Sequence, residues 1–181
     1  MSKNRKDNLK KLIYIFFTLA LVFLVFSFSL NRDWQYFDEK IIFDEGIFPI
    51  PTSFTEALEV ILLYAFNYHT DSHNAFFSNI VNIRSDPLGA SIYILALYFF
   101  QKNFLYYHLV ELFIHLTNTI LVWLIFYKFL SDHIFSTLFT LVWALHPALS
   151  EAVLLGTNWS SLLNYTFCLI FIYYSLKKQA A

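Results

Sequence analysis

Two groups of residues in this chain have the types and spacing for chemistry. His108, Glu111, His115 and Asn118 stand at i, i+3, i+7 and i+10, close to one face of a helix. Ionisable groups within so apolar a stretch mark a polar cavity or a pathway, because lipid does not solvate them. Their other use is hydrogen bonding between packed helices. Phe37-Asp38-Glu39 and Phe43-Asp44-Glu45 are two copies of one acidic triplet. In such a carboxylate pair, one member can take a proton from a hydroxyl while its neighbour raises its pKa or orients it. A solvated acidic loop has the same composition. His108, Glu111 and His115 would need a fourth ligand or a water to hold a metal, and no histidine pair at matched depth offers a haem or quinone site. His69-Thr70-Asp71-Ser72-His73 reads as a solvated loop. We therefore expect no metal and no cofactor.

The elements that position these groups follow from composition. Of the 181 residues, 58% are hydrophobic and 14% charged, whereas soluble domains carry about a quarter charged. That deficit points to lipid as the solvent. The net charge of −1 argues against a nucleic-acid partner, which calls for a basic surface. The single cysteine, Cys168, lies in an apolar run and permits no intrachain disulfide. Asn158-Trp159-Ser160 and Asn164-Tyr165-Thr166 match the glycosylation sequon, but they sit at or inside an apolar run and read as chance matches.

We expect an all-α fold, a polytopic membrane helix bundle of about four transmembrane helices forming one membrane domain. Residues 12–30 are uncharged and follow Lys3, Arg5, Lys6, Lys10 and Lys11. A run of about 20 residues spans the hydrocarbon core. The large Phe28 in Ser27-Phe28-Ser29 makes a poor cleavage site, so the run reads as an uncleaved anchor with residues 1–11 cytoplasmic. Residues 31–103 form an outer loop with two interfacial helices, 53–67 and 87–100. The first opens with a Ser53/Glu56 capping box and carries an apolar face of Phe54, Leu58, Ile61, Leu62 and Ala65 suited to the membrane surface. Further spans are expected at 104–127, 129–145 and 156–176, with an outer loop at 146–155 and a cytoplasmic tail at 177–181. This count keeps Lys128 and Lys177 on the cytoplasmic side, as the positive-inside rule requires; a span at 87–100 would move them outside. Both termini are then cytoplasmic and the acidic loop faces the periplasm or a lumen.

Three stretches occur in order: Tyr36-Phe37-Asp38-Glu39-Lys40-Ile41-Ile42, His108-Leu109-Val110-Glu111-Leu112-Phe113-Ile114-His115-Leu116-Thr117-Asn118, and His146-Pro147-Ala148-Leu149-Ser150-Glu151-Ala152-Val153. Together they resemble the N-terminal membrane part of the GT-C glycosyltransferases, in the protein O-mannosyltransferase branch with transmembrane and tetratricopeptide-repeat regions. The resemblance runs from about Asp33 to Tyr174. It implies a polyprenyl-phosphate sugar donor and transfer to an acceptor hydroxyl on the outer face. It also implies Asp38 and Glu39 as the catalytic acid pair, with Asp38 as general base, and Asp44 and Glu45 as a rival register. His108, Glu111, His115, His146 and Glu151 would line the cavity, and Arg84 would meet the donor phosphate. Glu111 stands where the family has Asn. Family members continue through further spans, so the chain resembles a truncated homologue.

Two functions follow. In one, the chain is a glycosyltransferase that completes its cavity with another membrane subunit or a second copy of itself. In the other, it is a non-catalytic membrane subunit that kept the fold and anchors a larger complex. Besides such subunits, the expected partners are membrane lipid and a polyprenyl-phosphate sugar.

Overall fold

The computed structural model describes residues 3–31, 50–67, 87–154 and 159–179, and every described element is helical. Helix α1, Lys3–Phe26, continues into a 3-10 turn, Ser27–Asn31. No Gly or Pro interrupts this stretch, so the helix takes in the basic flank as well as the apolar run. Its final turn tightens where Ser27 Oγ donates to the Leu24 carbonyl (3.0 Å) and Ser29 Oγ to the Phe26 carbonyl (2.7 Å).

Helix α2, Phe54–Asn67, begins as its sequence predicts, with one adjustment. Ser53 Oγ accepts from the Glu56 N–H (3.1 Å), but Glu56 Oε2 reaches back to the N–H and hydroxyl of Thr52, both at 2.7 Å. The reciprocal bond thus lands one residue before the cap. The Thr52 hydroxyl and N–H hold the Glu56 carboxyl below the usual carboxylate range. Because its folded pKa is depressed, the stabilisation is complete above the ordinary value of 4.5 and is lost as pH falls through the lower folded value. Hydrogen exchange at Phe54, Thr55 and Glu56 is therefore expected to speed up selectively below that pH. The Glu56→Gln variant should show no such step, and a step that survived in it would assign the effect elsewhere.

Ala57, Val60 and Ile61 of α2 pack on helix α3, Pro87–Phe100. Phe54, Leu58 and Leu62 are exposed. The expected apolar face is therefore split: Ile61 turns toward α3, Phe54 reaches the Tyr98 ring of α3 while staying half exposed, and Leu58 and Leu62 open outward. The Ala65 side chain lies outside the described residues. Pro87 opens α3, where a missing N–H costs nothing, and the helix ends at Gln101 in the left-handed region (φ 50°). A short turn leads through Asn103 into helix α4, Phe104–Leu130. The Tyr107 hydroxyl donates to the Gln101 carbonyl across this turn (2.9 Å).

Helix α4 runs 27 residues and stops at Ser131 (φ 53°), whose N–H returns to the Tyr127 carbonyl. Asp132 then caps helix α5, His133–Ala144, by accepting from the Phe135 N–H at 2.9 Å. The run expected at 129–145 thus divides at Ser131–Asp132: its first two residues finish α4, and α5 has only 12. Small residues Ser136, Thr137, Thr140 and Ala144 form the buried face of α5 and let it approach α1 and α4 closely.

His146-Pro147 starts helix α6, Pro147–Leu154, where a loop was expected. Pro147 occupies its first position, and His146 Nδ1 accepts from the Ala148 N–H at 3.2 Å. Helix α7, Trp159–Gln179, completes the described chain.

Among the described residues two helices, within Arg5–Leu30 and Phe104–Leu130, are long and apolar enough to cross a membrane. Helix α7 is shorter, at 21 residues, and Ser160, Ser161, Asn164 and Tyr165 make its first half more polar. The helices alternate in direction. The start of α1 meets the end of α4 through Asp7 and Tyr127, while Phe26 near its other end meets His115. Trp159 at the start of α7 packs on Tyr107 near the start of α4, and Tyr173 near its end receives Lys128. One apolar core joins α2 and α3 to Tyr107 and Trp159. A second joins Val22 and Phe26 of α1 to Leu112, Ala144, Val153 and Leu162.

Candidate functional site

The inner face of α4 carries the polar stripe. His108, Glu111, His115 and Asn118 are all buried, with Glu111 at 0% exposure. Helical spacing aligned them in the sequence, and packing on both sides of α4 encloses them.

The stripe divides into two halves with different uses. His115 Nε2, when protonated, donates to the Ala144 carbonyl at 3.1 Å. That carbonyl belongs to the final turn of α5, where carbonyls lack helical partners. The His115 ring is fixed edge-on to Phe26 and stacked on Trp143 (centroids 5.1 and 5.9 Å). Asn118 Nδ2 donates to the Leu162 carbonyl of α7 at 3.1 Å. This carbonyl also receives the Thr166 hydroxyl at 2.9 Å. Among the described residues Asn118 Oδ1 has no hydrogen-bond partner. His115 and Asn118 thus tie α4 to α5 and α7.

Closer to the start of α4, His108 Nδ1 stands 3.5 Å from Glu111 Oε2, with both side chains almost completely buried. Such a pair can share one proton, either as imidazole with carboxylic acid or as imidazolium with carboxylate. Of the four, it is the pair equipped to hold or move a proton.

The other expected site residues do not join this stripe among the described side chains. His146 is exposed, with its Nδ1 turned to the Ala148 N–H. Glu151 belongs to α6, whose Val153 packs in one core with Leu112 of α4; the Glu151 side chain lies outside the described residues. Asp38, Glu39, Asp44, Glu45 and Arg84 also lie outside them, as does the 69–73 segment. Among the described residues no group of three or more His, Cys, Asp or Glu side chains is placed to hold a metal.

An open cleft of about 870 Å³ lies where α1 finishes and α4 begins. Leu30 lines one side, and Phe99 through Tyr106 line the other, with Lys102 among them.

The sequence reading missed a second polar cluster at the opposite end of the bundle. Asp7 of α1 meets Lys11 (3.2 Å), His133 Nε2 (3.1 Å) and the Tyr127 hydroxyl (3.4 Å). Its local signal was the i, i+4 pair Asp7 and Lys11. Nothing local connects Asp7 with His133, 126 positions away.

Replacing Asn118 by Leu is expected to cost about 0.6–2 kcal/mol, the range for hydrogen bonds between membrane helices. Unfolding in detergent measures this, and an unchanged midpoint would show that apolar packing alone holds α4 to α7.

Comparison of the chain with protein-family models, curated proteins and solved structures finds no match.

Proposed function

We propose that the chain is a multi-span membrane protein of GT-C type that transfers a sugar from a polyprenyl-phosphate donor to an acceptor hydroxyl on the outer face. It does so as part of a split or oligomeric enzyme. The observation that supports this most is the enclosed His108–Glu111 pair at the end of the bundle where α1 finishes. Leu30 shares the cleft there with Phe104, Leu105 and Tyr106, and Asp38 and Glu39 follow it closely in the sequence.

Charge supports the orientation. Arg5, Lys6, Lys10, Lys11, Lys128, Lys177 and Lys178 belong to helix ends that meet at one end of the bundle, and Lys102 lies at the other. The basic end is cytoplasmic by the positive-inside rule. On this reading α1, α4, α5 and α7 make the four crossings, with short α5 extended beyond its end by α6.

In the reaction Asp38 takes the proton of the acceptor hydroxyl as its oxygen attacks the anomeric carbon. The bond from that carbon to the lipid-phosphate oxygen breaks, its electron pair leaves on the phosphate, and configuration at carbon inverts. Glu39 orients the base and Arg84 holds the phosphate. His108 and Glu111 belong to the cavity wall, while His115 and Asn118 hold the wall's helices together.

The exposed aromatic faces of α4 and α7, with Phe113, Phe167, Phe171 and Tyr174, favour a second reading: a non-catalytic subunit docked in a larger membrane complex. Purification in mild detergent, mass spectrometry of associated chains and incubation with a radiolabelled polyprenyl-phosphate sugar and a hydroxyl-bearing peptide separate the two. Transfer of label supports the enzyme. A stable complex containing the chain, with no transfer, supports the subunit.

A further inference from the structure

The last turns of α4 and α7, which finish side by side at the basic end, take no part in the proposed transfer. Lys128 belongs to the last turn of α4, and Lys177 and Lys178 to that of α7. A lysine in a final helical turn ordinarily bonds the terminal carbonyls. Lys128 does not. Its Nζ is buried, faces the Tyr173 ring of α7 at 5.8 Å and has no hydrogen-bond partner among the described residues. An ammonium group withdrawn from water needs an anion beside it. The carboxylates described at this end are already engaged, Asp7 by Lys11 and His133, and Asp132 by the Phe135 N–H.

We propose that Lys128 and Lys177 form a site for a phosphate group, delivered by the headgroup of an anionic phospholipid in the cytoplasmic leaflet. Lys177 follows Tyr173 by four residues and so stands on the same face of α7, one turn closer to the helix end. A phosphate held by both ammonium groups gives the buried Nζ the charge-assisted bonds it lacks. The site rests on the membrane orientation of the bundle, with its basic end cytoplasmic, and not on sugar transfer.

The surroundings select a lipid over a soluble anion. Tyr127 of α4 and the edge-on pair Tyr173 and Tyr174 of α7 gather at this end, and tyrosine collects at headgroup level in membranes. Phe167, Phe171, Tyr174 and Lys178 stand at i, i+4, i+7 and i+11, and all four are exposed. One outward row of α7 therefore passes from rings that suit acyl chains to a cation at the headgroup. Arg5, Lys6 and Lys10 of α1 are exposed at the same end and draw an anionic leaflet toward it without belonging to the site.

The test titrates the full chain, freed of lipid in mild detergent, with phosphatidylglycerol and with phosphatidylcholine, whose choline cancels the headgroup charge. Bound lipid is counted by native mass spectrometry. Phosphatidylglycerol is expected to bind more tightly, and Lys128→Met to weaken it about tenfold, the loss of one charge-assisted hydrogen bond. Lys128→Arg should retain the preference. Lys177→Gln, at an exposed position that does not burden the fold, should weaken binding in the same direction. Lys6→Gln removes a charge from the same end outside the site and should leave the affinity where it is. Equal binding of the two lipids, or no loss in Lys128→Met, would overturn the proposal. An equal loss in Lys6→Gln would replace the site with diffuse attraction. Displacement of the lipid by inorganic phosphate at matching concentration would overturn the lipid source and assign the site to a soluble phosphate. This readout needs no sugar transfer, so its failure leaves the enzyme reading untouched.

Discussion

Asp38→Asn is expected to lower sugar transfer by about 10²- to 10⁴-fold, the contribution of a positioned general base. Asparagine keeps the size and much of the hydrogen bonding of aspartate but cannot accept the hydroxyl proton. Binding of the lipid donor should persist, because the donor's phosphate is assigned to Arg84 and not to the carboxylate. The loss should therefore fall on turnover, with little change in the donor concentration for half-maximal rate. Asp44→Asn is the necessary companion, since the second acidic triplet is the rival register. A large loss in Asp44→Asn with normal turnover in Asp38→Asn would move the base to Asp44. Full activity in both would remove the acid pairs from the chemistry. Transfer by the unsubstituted protein must be established first, in whatever complex it occupies.

The largest effect on stability is expected at Trp123. Its side chain is completely buried, its indole N–H donates to Thr137 Oγ1 at 3.0 Å, and its ring stacks on Tyr127. Trp123→Ala should cost about 3–5 kcal/mol, the range for deleting a large aromatic from a packed interior. In lipid this loss comes from dispersion contacts and the cavity left behind, because the surrounding chains are as apolar as the protein. Trp123→Phe separates the contributions: it retains a ring in the stack and removes the bond to Thr137, so it should cost about 1 kcal/mol. Unfolding in detergent reads both variants. An Ala variant as stable as the Phe variant would mean that neighbouring rings collapse into the space.

The sequence by itself determined the helical class, the long apolar runs and several boundaries, because these depend on neighbours along the chain. Ser53 and Glu56 announced the start of α2, and the lack of Gly and Pro carried α1 from Lys3 through its apolar run. The alignment of His108, Glu111, His115 and Asn118 was equally legible, since the helical repeat alone puts them on one face. Tertiary structure decided which of these groups serve as fastenings. His115 is committed to α5 because the final turn of that helix brings the Ala144 carbonyl against it. Asn118 is committed to α7 through the Leu162 carbonyl, 44 residues along the chain. The division of the 129–145 run and the helix at Pro147–Leu154 rest on cap geometry at Ser131, Asp132 and His146, which hydrophobicity does not register. The contact between Asp7 and His133 lay furthest from view. Asp7 and His133 are ordinary surface types in sequence, and only the packing of α1 antiparallel to α4 and parallel to α5 brings them together. Periodicity records which residues share a face, but a contact between helices depends on how those faces meet in space.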